Sequence, residues 1–143
     1  MLQIESLGLV EAEKAIAAGI EAARKLNRPM AFAVADSGAE MIATARMDGA
    51  NPRILRHSVR KAYTAALMWR HTLSFKLDLE ERGGALDQWG DLDLTTLPGG
   101  LVVQTKDAFV GGIGAGGGGA HDEEVARIMV RAMGFDVVED KRR

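Results

Sequence analysis

The chain has 143 residues, a formal net charge of −2, a pI near 5.9 and no cysteine. This length fits one domain with a substantial core, and the mixed charges leave no electrostatic footprint for nucleic acid. The lack of cysteine excludes disulfides, thiolate metal sites and a thiol nucleophile. No apolar run approaches the length of a membrane span, and residues 1–14 lack a secretion signal, so we predict a cytoplasmic protein that binds neither membrane nor nucleic acid.

The first part of the chain predicts a helix followed by a hairpin. Apolar residues recur at helical spacing from Leu9 to Ala23, with Ser6 as a candidate cap and Pro29 as a stop signal. Residues 30–35 and 41–47 are short β-prone runs separated by a turn sequence. They predict two antiparallel strands.

A second helix is predicted from its start signals. Asn51 can cap it, and Pro52 occupies the favoured first helical position. Its apolar face runs from Leu55 to Trp69 and leaves His57 and Lys61 on the flank or outside, one helical turn apart.

The second half of the chain predicts a short helix, an irregular arm, a second hairpin and a last helix. Residues 72–82 form the helix and residues 85–94 the arm, which carries Trp89. Strands are predicted at 101–104 and 108–113. Because the arm carries apolar residues that a small core need not absorb, we predict a homo-oligomer.

A glycine-rich stretch, Gly111 to Gly119, begins within the last predicted strand and leads to the last helix. We expect a flexible loop that approaches a ligand closely. Its G-x-G-x-x-G match, from Gly112 to Gly117, is weak evidence for a nucleotide because this composition produces the pattern readily. Acidic residues 122–124 would also repel a pyrophosphate at the helix start.

Antiparallel strand pairs alternating with helices define an α+β fold. We expect one domain over residues 1–134, followed by a C-terminal tail over residues 135–143.

Six short segments follow one another along the chain: Ala33-Val-Ala-Asp-Ser-Gly38, Ala45-Arg-Met-Asp-Gly-Ala50, Lys61-Ala-Tyr-Thr-Ala65, Leu97-Pro-Gly-Gly-Leu101, Val110-Gly-Gly-Ile-Gly114 and Asp122-Glu123. Together they resemble the GlcG/HbpS-like family, which also includes the C-terminal domain of PduO-type proteins. The resemblance implies a profilin-like fold, with a five-stranded antiparallel sheet and helices on both faces. It also implies homo-oligomers, haem binding in some relatives and catabolic operons for others.

The strand order implied by the family, with the first hairpin beside the last strand, gathers candidate site residues at one end of the sheet. The predicted ligand-binding residues are Arg46, Asp48, Lys61, Gly116, Gly117 and Gly118, and the predicted catalytic residues are His57 and His121. Asp36 and Asp107 belong to the opposite end. Asp48 can equally be a turn residue, and His57 and His71 can be solvated.

Three function classes remain open. The first is a small-ligand-binding accessory protein of a catabolic pathway, with haem as a candidate ligand held by an imidazole. The second is a cofactor-independent catabolic enzyme, a lyase, isomerase or hydrolase, in which His57 or His121 moves a proton and Arg46 or Lys61 holds a substrate carboxylate. Its metal-assisted variant would use His121, His57 and an acid, either Asp122 or Glu123. The third is a structural oligomer without a small ligand.

Overall fold

A four-stranded antiparallel sheet lies between helices in residues 1–139, the part of the chain that this computed structural model describes. The elements in chain order are α1 (Leu9–Lys25), β1 (Ala31–Ala35), β2 (Met41–Arg46), α2 (Pro52–Met68), α3 (Thr72–Arg82), β3 (Gly100–Gln104), β4 (Phe109–Gly116) and α4 (Asp122–Ala132). Short 3-10 turns cover Leu86–Trp89 and Gly119–His121. The predicted α+β class is confirmed.

The strand order is β2-β1-β4-β3, which confirms that the first hairpin lies beside the last strand. In this register Ala31 of β1 lies between Arg46 of β2 and Gly116 of β4. The end of β2, the end of β4 and the segments that follow them therefore meet at one end of the sheet.

The implied fifth strand is absent from the described residues because side chains occupy the outer edge of β3. The Gly100 amide donates to Thr72 Oγ1 at 3.0 Å, and the Val102 amide donates to His71 Nδ1 at 3.1 Å. Since Nδ1 accepts this bond, Nε2 carries the imidazole proton and donates it to the Val138 carbonyl at 2.6 Å. His71 is consequently buried, and the start of α3 replaces a strand.

We expect His71→Ala to lower the free energy of unfolding by about 2–3 kcal/mol, because it leaves the buried Val102 amide without its acceptor and removes the donor to the Val138 carbonyl. Urea unfolding measures the loss. His71→Asn, which can retain one acceptor, should be milder. An alanine variant as stable as wild type would contradict this role.

The glycine-rich stretch is largely strand, because the strand predicted to end at residue 113 extends further and leaves a shorter loop than expected. β4 continues to Gly116, and its alternate glycines face α2. A Cβ on Gly112 or Gly114 would overlap the carbonyl oxygen of Ala62 or Ser58. These glycines therefore allow the backbone of α2 to lie directly on the sheet.

Two apolar layers cover the two faces of the sheet. On one face, α1 and α4 enclose Phe32, Ile113 and Met129, all fully buried. On the other face, small residues such as Ala33 and Ala62 form the contact with α2. The close helix approach on this second face explains why its residues are so small.

The inner face of α2 differs from the predicted one. Lys61 is buried, with 3% of its surface exposed, whereas Trp69 is 58% exposed. Ser58, Ala62 and Ala65 are buried with Lys61 at i, i+3, i+4 and i+7 spacing. α2 turns this face toward the sheet, and not the predicted one, because the sheet surface beneath it is made of glycine and alanine.

Local start signals were reliable for α2 and misleading for α1. Asn51 accepts the Arg53 amide at 3.0 Å and caps α2, as predicted. Ser6 does not cap α1, because its hydroxyl accepts the Ser37 amide, and Gly8 precedes the helix instead.

The arm and the segment that follows α4 both lie against the body of the domain. The hydrogen bond from Tyr63 to Asp91, 2.6 Å long, fixes the arm to α2 and raises the pKa of Tyr63 to about 12. In the predicted tail, Phe135 and Val137 pack on the core. Contacts with the domain thus continue past residue 134, and residues 140–143 lie outside the described residues.

Candidate functional site

A cavity of about 500 Å³ lies where α2, the glycine turn (residues 116–120) and the start of α4 meet. We call it the His57 cavity. Its lining residues are Ile54, His57, Lys61, Leu73, Leu97, Pro98, Gly116, Gly117, Gly119, Ala120, Asp122 and Glu123. The volume is within the range of small-molecule sites.

An ion pair between Lys61 and Asp122 lies in the wall of this cavity. Lys61 Nζ donates to Asp122 Oδ2 at 3.0 Å and to the Ala115 carbonyl at 2.8 Å. The two side chains are only 4% and 13% exposed. The other Asp122 oxygen, Oδ1, accepts the Gly118 amide at 2.7 Å, so this carboxylate links α2, the glycine turn and α4.

Gly99 covers this ion pair from behind. Its φ of +114° is one that residues with a Cβ rarely adopt. A Cβ at this position would lie 2.9 Å from Asp122 Cβ and 3.1 Å from Lys61 Nζ. Only glycine therefore fits between the turn before β3 and the ion pair.

His57 presents a neutral imidazole to the cavity. Partial burial and the positive charges of Lys61, Arg53 and Arg60 lower the pKa of His57 from its ordinary value of 6.5. At neutral pH this side chain can accept a proton or donate a lone pair to a metal.

The structure brings some predicted residues together and leaves others apart. His57, Lys61, Gly116 and Gly117 line one cavity, and Gly118 bonds Asp122 in its wall. Arg46 is exposed and donates to the Ala50 carbonyl at 3.0 Å. Asp48 is exposed in the turn after β2, and neither residue lines the cavity.

His121 lies outside the His57 cavity. It lines a separate depression of about 170 Å³ between α1 and α4. No three His, Asp or Glu side chains within residues 1–139 are grouped to hold a metal ion. The predicted metal set of His121, His57 and Glu123 is thus not assembled, because the start of α4 directs His121 and Glu123 to different surfaces.

Sequence reasoning missed the role of Asp122 and the apolar wall. The position of Asp122 in a first helical turn is typical of acids that only complement the helix dipole. Leu73 lies in a helix for which no site role was predicted. The i, i+4 spacing of His57 and Lys61 was the available signal that both face one surface.

The fold and the cavity define a small α+β domain with a cavity whose volume suits a small ligand. The model of the family described as "Haem degrading protein HbpS-like" matches residues 7–131. Protein GlcG of Escherichia coli K12 is 38% identical over 99 residues, which cover 69% of this chain and 72% of GlcG. The chain belongs to the HbpS-like family.

Solved structures share the fold. HbpS of Streptomyces reticuli, solved as an E78D, E81D double mutant, is 33% identical, with a TM-score of 0.82 over 92% of this chain and 89% of that one. A complex of PduOC with haem has a TM-score of 0.82 at 24% identity, over 95% and 99% of the two chains. The latter likeness concerns the fold alone.

No helix in residues 1–139 has the length and apolar character needed to cross a membrane.

Proposed function

We propose that the protein binds a small ligand in the His57 cavity and that haem is this ligand. The observation that carries the proposal is a neutral imidazole at a cavity whose walls include Ile54, Leu73 and Leu97. Family membership and the likeness to HbpS support haem over other ligands.

The residues present fit haem by their chemistry. The His57 imidazole would be a suitable ligand for the haem iron, and the leucine and isoleucine side chains of the cavity wall would suit the apolar porphyrin. Arg53 is close enough to help lower the pKa of His57, so it would provide positive charge for a propionate. The chemistry that haem supplies when bound is that of its iron, while the protein contributes orientation and partial exclusion of water.

We also propose that the protein is a cytoplasmic accessory protein of a catabolic pathway. We further propose that it forms a homo-oligomer, because the apolar side chains of Trp89 and Leu92 are 50% and 94% exposed and association would cover them.

We predict that haemin binds the wild-type protein with a sharpened Soret band and that His57→Ala weakens binding by about ten-fold or more. His121→Ala is the matched control, because His121 lies in the separate depression. Titrations followed by absorption test both variants. A spectrum changed by His121→Ala and not by His57→Ala would contradict the assignment.

The pH profile gives a second test. Because the folded protein lowers the pKa of His57, the neutral ligand form persists as the pH falls through 6.5 and is lost only at a lower pH. We expect haemin affinity to be constant from pH 8 to about 6.5 and to fall below that. A loss of affinity that begins above pH 6.5 would show that another group controls binding.

An acid–base enzyme is the second candidate, since a His57 with a lowered pKa is also a competent general base. Its substrate carboxylate would not find Lys61 available, because Asp122 already occupies that ammonium group. Absorption and mass spectra of the material that copurifies with the native protein discriminate between the two candidates. A Soret band favours haem, and a small carboxylate without one favours the enzyme.

A further inference from the structure

The carboxylate of Asp122 sits in a cradle of two donors. One oxygen accepts the Gly118 backbone amide at 2.7 Å, and the other accepts Lys61 Nζ at 3.0 Å. An ammonium group combined with a backbone amide of a glycine turn is the donor set that proteins use for a bound carboxylate. Here the occupant is a side chain of the chain itself.

The cradle is preorganised independently of its occupant. The Ala115 carbonyl holds Lys61 Nζ at 2.8 Å, and α2 buries the aliphatic part of this lysine against the sheet. Gly99 packs behind the ammonium group. Removal of the Asp122 carboxylate would therefore leave a positive charge that cannot turn outward to solvent.

The cradle also faces the ligand site. Lys61, Asp122 and His57 all line the same cavity. Asp122 compensates the charge of Lys61, and the nearby Glu123 is itself paired with Arg127 at 3.1 Å. No uncompensated ammonium or guanidinium group is thus found among the residues that line the cavity in the described part of the chain.

We propose that Asp122 is a built-in anion that fills a carboxylate-binding cradle formed by Lys61 and Gly118, and that it thereby makes the cavity select against small carboxylates. An incoming carboxylate has to displace Asp122, whereas the neutral imidazole of His57 is open to a coordinating ligand. The claim about selectivity rests on the proposed function, because it assumes that the cavity holds a ligand. The claim that Lys61 and Gly118 form a carboxylate-binding cradle is independent of the proposed function.

Chemical rescue separates this role from that of an ordinary buried ion pair. Asp122→Ala empties the cradle but leaves both donors in place, so formate should bind there and restore stability. We expect the Tm of Asp122→Ala to rise with formate concentration well above its rise with chloride at equal ionic strength. Wild type should respond equally to the two salts.

Two control variants make the test specific. Glu123→Ala removes an acid from the same helical turn and the same cavity, and it should show no formate effect. Lys61→Met/Asp122→Ala removes the ammonium donor and should lose the rescue. If Asp122→Ala does not fold alone, the yield of refolding in formate against chloride gives the same comparison.

Selectivity is measured with oxalate as the probe. Asp122→Asn keeps an oxygen for the Gly118 amide but removes the negative charge, so we expect it to bind oxalate about ten-fold or more tightly than wild type by calorimetry. Equal oxalate affinity in the two proteins, rescue of every variant by formate, or rescue of none overturns the proposal. Haemin titration of wild type reports separately on the proposed function, because formate rescue requires no haem.

Discussion

Lys61→Met is expected to lower the free energy of unfolding by about 3–5 kcal/mol, because it leaves the Asp122 carboxylate, whose side chain is only 13% exposed, without its cation. Lys61 is 3% exposed and makes two hydrogen bonds, so the methionine variant loses both the charge and the donors. Out of the 5–15 kcal/mol typical of a domain, this is a large fraction. Urea unfolding at neutral pH gives the value directly.

A double-mutant cycle tests the reason for that loss. Lys61→Met/Asp122→Asn removes both charges and keeps an oxygen for the Gly118 amide. We expect the double variant to recover about 1 kcal/mol or more relative to the sum of the single changes. Strict additivity would mean that the two side chains do not interact and that another contact of Lys61 causes the loss.

Gly114→Ala is expected to destabilise the domain by more than about 3 kcal/mol, beyond the usual range for overpacking. The new Cβ would overlap the Ser58 carbonyl and lie 2.9 Å from the Ala62 amide nitrogen. Both are backbone atoms of α2, so no side-chain rotation relieves the contact. The helix as a whole has to move away from the sheet.

Gly38→Ala is the matched control, since Gly38 is exposed in the first hairpin turn and its nearest new contact is 3.4 Å away. It should change the free energy of unfolding by no more than about 0.5 kcal/mol. Because α2 carries His57, displacement of this helix should also weaken haemin binding in any folded Gly114→Ala. A variant as stable as wild type would show that the sheet face does not need its glycines.

These two predictions share a cause, which is that the His57 cavity and the core depend on the same contacts between α2 and β4. α2 lies on the glycine face of β4, and from this position Lys61 reaches Ala115 and Asp122. The cavity exists because the same close approach brings His57 beside the glycine turn. Changes in the helix–sheet contact are therefore expected to affect ligand binding and stability together.

The amino-acid sequence alone predicted the elements that depend on near neighbours. The Asn51 cap and Pro52 marked the start of α2, and the bounds of α3 at Thr72 and Arg82 followed from its glycine stop. The family resemblance supplied the strand order, which the register of β1 between β2 and β4 confirms.

Only the tertiary structure decided which residues form the site. The helical pattern of α2 predicts that Lys61 lies at the surface. Its hydrogen-bond partners Ala115 and Asp122 lie 54 and 61 residues away in the chain. His121 is close to Asp122 in sequence but faces α1, because the first turn of α4 separates their directions. Local sequence patterns predict which residues share a face of one helix or strand. Whether a charged side chain on that face is buried depends on how two such elements pack together. The glycines of β4 set that docking distance, and the sequence alone placed Gly114 and Gly116 in a loop.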